Sequence, residues 1–190
     1  REIDTLVLVF PVHCQNIPEP VKDFLCRASI KNITVIATYG RMCPGNVIYE
    51  IGKKYHSNIV AAAYIPTKPS YHTAPSFSDF KRLTPIIEKI KSPSKVKLPR
   101  LYKNPIADLL PRLRSRIGIK MIRNGKCDSC GMCTEGCDFG GIKNGVTNTK
   151  CVRCLRCVKN CPMEALSFKA RLPLKIYLNK KKSNKLIIYI

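Results

Sequence analysis

The sequence predicts a mixed chain, in which an α/β half with a parallel sheet precedes a smaller α+β unit. Three observations support this fold class. Short apolar runs alternate with amphipathic stretches over residues 1–65, proline and basic residues accumulate in the middle, and two cysteine runs follow. With 190 residues, the chain can hold one medium domain or two small ones.

The N-terminal part, residues 1–65, alternates strand and helix signals. Residues 5–10 form a continuous apolar run closed by Pro11, as expected of a strand buried on both faces. A helix with apolar residues at helical spacing is predicted over 20–28. Asn46 is a candidate N-cap for a second helix. Two further strands are predicted at 33–37 and 59–65. This alternation is typical of a parallel sheet with crossover helices.

Residues 66–118 are predicted to be a basic connector with short helices. Eight of the chain's 14 prolines lie in this region, which argues against a sheet. One amphipathic helix is expected between Phe80 and Ile90, started or bent at Pro85, and another between Ile106 and Leu113. Residues 81–126 include 14 basic and two acidic residues. We expect the apolar stripes to pack against neighbouring structure rather than lie on a membrane.

Residues 119–170 contain two cysteine runs with the same spacing. Both read C-x2-C-x2-C-x3-C, and each cysteine of the first run has a counterpart 24 positions later (127/151, 130/154, 133/157, 137/161). Three closely spaced thiolates with a fourth just beyond them suit a cubane iron-sulfur cluster. Two zinc sites or a set of disulfides are the alternatives, but zinc accounts poorly for the third and fourth cysteines and disulfides suit small secreted scaffolds.

The two runs, together with Pro162, resemble the bacterial two-cluster ferredoxin module. The resemblance implies that the fourth cysteine of each run binds the cluster of the other run. The implied ligand sets are Cys127, Cys130, Cys133 and Cys161 for one 4Fe-4S cluster and Cys151, Cys154, Cys157 and Cys137 for the other. Asp138 departs from the family pattern, which has proline here, and an ionised carboxylate would lower the potential of the nearby cluster.

The remaining elements of this module are short strands. They are predicted at 119–123, at 142–147 with a turn at Asn144-Gly145, and at 166–168. Ile142 and Leu166 are equivalent in the repeat, as expected of apolar residues that cover the clusters. The lysine-rich tail, residues 171–190, is expected to be either poorly ordered or an added edge strand.

Two loops of the N-terminal part carry a second resemblance. The segments Phe10-Pro11-Val12-His13-Cys14-Gln15-Asn16-Ile17-Pro18 and Ala37-Thr38-Tyr39-Gly40 are similar to loops in flavodoxin-ferredoxin fusion proteins of anaerobic bacteria. The resemblance implies a partial flavodoxin-like sheet. The residual flavin loops would contain Pro11, His13, Cys14, Thr38, Tyr39 and Gly40.

This resemblance also implies an incomplete N-terminus. The opening β-α-β segment and its phosphate-binding loop would be missing before Arg1. We therefore expect the strand at 5–10 to be an exposed apolar edge and the chain to bind little FMN. FMN is expected only in a complete chain.

The sequence thus predicts an electron-transfer protein that relays single electrons at low potential through two 4Fe-4S clusters. The formal net charge of +22 favours redox partner proteins with acidic surfaces over nucleic acid. The longest apolar run, 59–65, is too short to cross a bilayer, and we expect a cytoplasmic protein.

Two other functions remain open. The chain could be a fragment of an FMN and iron-sulfur oxidoreductase, or a zinc-binding protein that binds nucleic acid. His13, His56 and His72 lie apart in the sequence, and no catalytic constellation is visible. Whether the protein is an enzyme therefore stays uncertain, although we expect an electron carrier rather than an autonomous enzyme.

Overall fold

The computed structural model describes residues 2–55, 58–68, 77–109, 111–179 and 183–190, without the side chains of Pro111 and Arg112. His56, His72 and parts of the predicted connector and tail lie outside these residues. The chain divides into two compact units. The first unit is Arg1–Ala107 with Lys181–Ile190, and the second is Asp108–Lys180.

A four-stranded sheet forms the centre of the first unit. Its strands are β1 (Glu2–Pro11), β2 (Ser29–Tyr39), β3 (Asn58–Pro66) and β8 (Ile187–Tyr189), in the spatial order β1-β2-β3-β8. The first three strands are parallel, and β8 pairs antiparallel with β3. The predicted parallel sheet is therefore confirmed. Of the two alternatives for the tail, an added edge strand is correct for β8. Residues Leu172–Leu178 of the same tail form a helix, which neither alternative included.

The first unit also contains helices, of which the first two connect its parallel strands and the others follow β3. They are α1 (Glu19–Arg27), α2 (Val47–Lys54), a 3-10 turn (Phe80–Leu83) and α3 (Thr84–Lys91). Proline lies in the first turn of both α1 and α3, where its missing N–H costs no helical hydrogen bond. The predicted helix start at Pro85 is thus confirmed.

Strand β3 is buried from Ile59 to Ile65 because both faces of the sheet are covered. Ile33, Val35 and Ile51 belong to the core on one face. Ala61, Ala63, Ile65, Ile86 and Leu186 form the core on the other face. A continuous apolar run in the sequence corresponds here to a strand with two buried faces.

Strand β1 shows where the prediction of burial was wrong. It lies at one end of the strand order and pairs with β2. The side chains of Val7 and Val9 are 48% and 59% exposed. An apolar run alone does not distinguish a central strand from an edge strand. The exposed apolar edge that the second resemblance implies is the arrangement observed.

Asn46 precedes α2, but its side chain does not cap the helix. Its Oδ1 instead accepts a hydrogen bond from the backbone N–H of Leu101. Asn46 therefore fixes a distant segment of the first unit to the start of α2.

The second unit combines short helices and two small antiparallel sheets. Its elements are α4 (Pro111–Gly118), β4 (Ile119–Arg123), α5 (Met132–Glu135), β5 (Ile142–Lys143), β6 (Val146–Thr147), α6 (Arg156–Lys159), β7 (Leu166–Ala170) and α7 (Leu172–Leu178). β4 pairs with β7, and β5 pairs with β6 across the turn at Asn144-Gly145. The predicted strands of this unit are confirmed.

The predicted helix from Ile106 to Leu113 is wrong at its start. Residues 105–108 form turns, and α4 begins at Pro111. Proline disfavours helical backbone in the residue before it and cannot donate a helical hydrogen bond. The apolar spacing across Pro111 therefore does not belong to one helix.

Candidate metal centre

The two cysteine runs fold into loops with the same local conformation. The helices α5 and α6 occupy equivalent positions of the repeat, 132–135 and 156–159. Left-handed backbone also recurs at equivalent positions, namely Ser129 and Arg153, Gly131 and Leu155, and Gly140 and Glu164. Left-handed residues are otherwise rare outside glycine, and they bend the chain sharply. The repeat in the sequence thus corresponds to a repeat in the backbone.

The loops surround two cavities, each lined by four cysteines. The first cavity is lined by Cys127, Cys130, Cys133 and Cys161. The second cavity is lined by Cys151, Cys154, Cys157 and Cys137. Each cavity therefore combines three thiols of one run with the fourth thiol of the other. These groups have the same members as the ligand sets that the sequence resemblance implies.

Backbone N–H groups donate hydrogen bonds to the two fourth cysteines. The Gly141 N–H lies 3.2 Å from Cys137 Sγ, and the Ala165 N–H lies 3.3 Å from Cys161 Sγ. Gly141 and Ala165 are equivalent in the repeat, so the same bond is made twice. Hydrogen bonds to ligand sulfur atoms influence the potential of a bound cluster.

Apolar side chains line much of both cavities. Ile142 and Leu155 line the second cavity, and Leu166 lines the first; all three side chains are buried. Such a lining limits the access of water, which is one of the means by which proteins adjust iron-sulfur potentials. The expectation that Ile142 and Leu166 lie in equivalent covering positions agrees with this geometry.

Gly141 allows the backbone near Cys137 to approach the backbone of Cys151. A Cβ atom at position 141 would lie 2.6 Å from Cys151 Cα and 2.9 Å from Cys151 N. Both neighbouring atoms belong to the backbone, so they cannot move away as a flexible side chain would. Gly141 is therefore required for the close approach of the two runs beside the second cavity.

The thiols of Cys127 and Cys157 have pKa values that are shifted in opposite directions. Hydrogen bonds, from the Ser129 N–H first and then from the Arg123 side chain, lower the pKa of Cys127. Burial raises the pKa of Cys157 to about 11. Iron binds the thiolate, so a thiol has to lose its proton when a metal binds. Deprotonation therefore costs more free energy at Cys157 than at Cys127.

Asp138, the residue that departs from the family pattern, has a cationic partner. Its Oδ2 lies 2.6 Å from Nη1 of Arg156, and both residues line the second cavity. The two side chains are 60% and 55% exposed, so solvent weakens the pair. The arginine offsets the carboxylate charge that the sequence alone would leave uncompensated.

The predicted flavin loops lie at the carboxyl ends of β1 and β2. Pro11 pairs with Thr38, and Gly40 follows β2 directly. Tyr39 is only 2% exposed, and its hydroxyl donates a 2.6 Å hydrogen bond to the carbonyl of Lys185. The C-terminal segment of the chain therefore holds the hydroxyl of Tyr39.

The loop after β1 also contacts the chain itself. His13 and Asn16 form a β-bridge, and Cys14 has left-handed backbone. Asn16 Nδ2 donates a 2.8 Å hydrogen bond to the carbonyl of Ala107, and Gln15 Oε1 accepts one from the Asn104 N–H. Residues of the predicted connector thus pack on the first of the two loops.

All 11 cysteines are free thiols, including Cys14, Cys26 and Cys43 outside the repeat. In the part of the chain that the structure describes, no three His, Cys, Asp or Glu side chains converge as a single metal ion would require. The four thiolates of a cubane bind four different irons, so they do not have to meet at one point.

Residues 146–167 match the family model of a 4Fe-4S binding domain. The match supports an iron-sulfur, ferredoxin-like module. It includes all four cysteines of the second run and supports an electron-transfer role for the protein. Searches of curated proteins and of solved structures gave no significant match.

The donor atoms of the ferredoxin-like module fit a 4Fe-4S cluster. Four thiols surround each cavity, their linings are largely apolar, and backbone N–H groups reach the sulfur atoms. A cluster of this type is normally held by four cysteine thiolates.

Among the described helices, none has the length and apolar character needed to cross a bilayer.

Sequence reasoning missed two residues of the module. Gly141 could have been suspected from the Gly140-Gly141 pair that follows Cys137, because paired glycines often mark a close backbone approach. Arg153, whose guanidinium donates a hydrogen bond to Cys151 Sγ, has no signal of its own in a basic chain.

Proposed function

We propose that the protein relays single electrons at low potential through two 4Fe-4S clusters, one in each cavity. Cys127, Cys130, Cys133 and Cys161 would hold the first cluster, and Cys151, Cys154, Cys157 and Cys137 the second. The observation that carries this proposal is the grouping of the eight thiols into two sets of four, with the fourth cysteines exchanged.

The clusters would supply one-electron chemistry when bound, since each can gain and lose a single electron. The residues of the chain have a supporting role. Cysteine thiolates hold the irons, and the N–H groups of Gly141 and Ala165 orient two of the sulfur atoms. The apolar lining excludes water, and this relay requires no proton donor and no nucleophile.

Redox proteins with acidic surfaces are the partners we propose. The net charge of +22 attracts acidic surfaces and accelerates encounters with them. Oxidised clusters with four thiolates each carry a charge of about −2, so loading removes only part of this positive charge. We propose the cytoplasm as the place of this exchange.

For the first unit we propose a partial flavodoxin-like domain, as in flavodoxin-ferredoxin fusion proteins of anaerobic bacteria. The parallel order of β1, β2 and β3 supports this assignment. We also propose that the chain alone binds little FMN, because Tyr39 is buried and its hydroxyl is bound to Lys185. An FMN and iron-sulfur oxidoreductase is the alternative function.

The proposal is tested by anaerobic purification followed by analysis of iron, sulfide, zinc and flavin. About eight irons and eight sulfides per chain are expected, with little zinc and little flavin. A brown colour with broad visible absorption should accompany them. The Cys26→Ala variant is a matched control, since Cys26 is an exposed thiol outside the repeat.

Each other result has a distinct meaning. About four irons per chain would contradict the two-cluster proposal and leave a single cluster. A colourless protein with about two zinc ions would support the zinc alternative instead. Stoichiometric FMN would contradict the proposal that this chain binds little flavin and would favour the oxidoreductase.

A further inference from the structure

Arg153 lies beside a cysteine of the second cavity. Its Nη1 donates a 3.3 Å hydrogen bond to Cys151 Sγ, and the residue lines the cavity. Its Nε is buried and has no hydrogen-bond partner among the described residues. A buried donor without a partner is costly, and a sulfur-rich group in the cavity would offer additional acceptors.

The two cysteine runs differ in charge around this position. The segment from Cys127 to Asp138, both included, has three acidic residues and no basic one. The segment from Cys151 to Pro162 has three basic residues and no acidic one. Ser129 is the counterpart of Arg153 and has the same left-handed backbone. The same backbone therefore presents a neutral hydroxyl residue in one run and a guanidinium in the other.

An arginine also lies near the first cavity, but its effect is weaker. The Arg123 side chain hydrogen-bonds to Cys127, yet Arg123 is exposed, and the acidic residue Asp128 lies next to Cys127. Solvent screens the charge of the exposed Arg123 more than the charge of the partly buried Arg153. In the second cavity, Asp138 is paired with Arg156, and no ion pair of Arg153 is seen among the residues that the structure describes.

We propose that Arg153 raises the reduction potential of the cluster in the second cavity above that of the cluster in the first. An electron that enters the protein would then reduce the cluster in the second cavity. This inference rests on the proposed function. Each step adds one electron from the donor and leaves every bond and proton in place. The added negative charge is stabilised by a nearby cation and by a hydrogen bond to the ligand sulfur. Arg153 acts through Cys151 and is thus a positioning residue.

The test is a stepwise anaerobic reduction of the loaded protein with dithionite, followed by electron paramagnetic resonance. The wild type should show two separate one-electron steps. In Arg153→Gln, the midpoint potential of the higher step should fall by at least about 59 mV, which corresponds to a tenfold change in the ratio of reduced to oxidised cluster. In Arg156→Gln, the matched arginine control, the shift should be clearly smaller because Arg156 is exposed and paired.

Two further variants keep the test decisive if Arg153→Gln loads poorly. Arg153→Lys keeps the charge but loses the planar fork of donors, so a smaller downward shift is expected. Ser129→Arg should move the step at lower potential upwards. Shifts in Arg153→Gln and Arg156→Gln of equal size, or no shift in any variant, would overturn the inference.

Iron and sulfide analysis of every sample separates this inference from the proposed function. If the wild type holds fewer than two clusters, the proposed function fails, and the order of reduction fails with it. If two clusters are present and the steps do not respond to Arg153 or Ser129 variants, only the role of Arg153 is contradicted.

Discussion

The first and second cysteine runs share a backbone but differ in the side chains between the cysteines. Helices and left-handed residues recur at equivalent positions in both runs. The charged residues between the cysteines are acidic in the first run and basic in the second. The grouping of thiols therefore depends on features that the two runs share, while the difference in electron affinity that we propose for the two clusters depends on features in which the runs differ.

The difference also extends to the neighbours of each run. Gly141, which follows the first run, meets the backbone of Cys151, whereas its counterpart Ala165 carries a Cβ atom. Only residues 146–167 match the 4Fe-4S family model, although the structure gives both runs the same conformation. A duplicated backbone thus permits one half to diverge further in sequence than the other.

The largest effect is expected from removing the exchanged cysteines. Cys161→Ala should abolish the reduction step at lower potential, because Cys161 lines the first cavity. Cys137→Ala should abolish the step at higher potential, because Cys137 lines the second. Stepwise reduction and iron analysis of both variants measure this. The opposite assignment, with Cys161→Ala removing the higher step, would break the comparison.

A smaller effect is expected from Gly141→Ala. The added Cβ would lie 2.6 Å from Cys151 Cα, so the backbone has to shift, at a cost of about 3 kcal/mol in free energy of unfolding. Iron content should fall mainly in the second cavity. Chemical denaturation and iron analysis measure both effects.

Gly125→Ala is the matched control for this prediction, since a Cβ at position 125 has nothing within 4 Å. Its stability and iron content should stay close to those of the wild type. If the two variants behave alike, the close approach of Gly141 to Cys151 is not required for loading.

The smallest effect is expected from Asp138→Asn. The carboxylate is exposed and paired with Arg156, so the stability of the chain should change by less than about 1 kcal/mol. Loss of the negative charge should raise the midpoint potential of the higher step by less than about 59 mV, which is the shift for a tenfold change in the ratio of reduced to oxidised cluster. Stepwise reduction measures the shift.

Asp128→Asn provides the matched comparison for Asp138→Asn. Asp128 lines the first cavity and accepts a hydrogen bond from the Cys130 N–H. This variant should therefore move the lower step. A shift of the same step in both variants would show that the charges act on the module as a whole and not on separate cavities.

The short-range features of the fold were predictable from the sequence. Cysteine spacing marked both loops, Asn144-Gly145 marked the turn between β5 and β6, and β4 begins and ends at the predicted residues. Each of these depends on neighbours within a few positions. Local residue types and spacing were therefore sufficient.

The features that could not be predicted depend on distant parts of the chain. The Asn46 side chain accepts a hydrogen bond from Leu101 instead of capping α2, and Tyr39 donates one to Lys185. The apolar run at 5–10 does not by itself show that β1 lies at one end of the strand order, which only the second resemblance implied. Gly141 matters because of the position of Cys151. Sequence patterns do not encode such long-range packing directly.

The most direct test of two clusters with exchanged cysteines is a crystal structure of the anaerobically loaded protein with an anomalous map at the iron edge. The proposal predicts two separate groups of iron, with Cys161 Sγ bound to the group held by Cys127, Cys130 and Cys133, and Cys137 Sγ bound to the other. A map in which Cys161 is bound to the same group of irons as Cys151, Cys154 and Cys157 would contradict it. A map that contains zinc instead of iron would also contradict it.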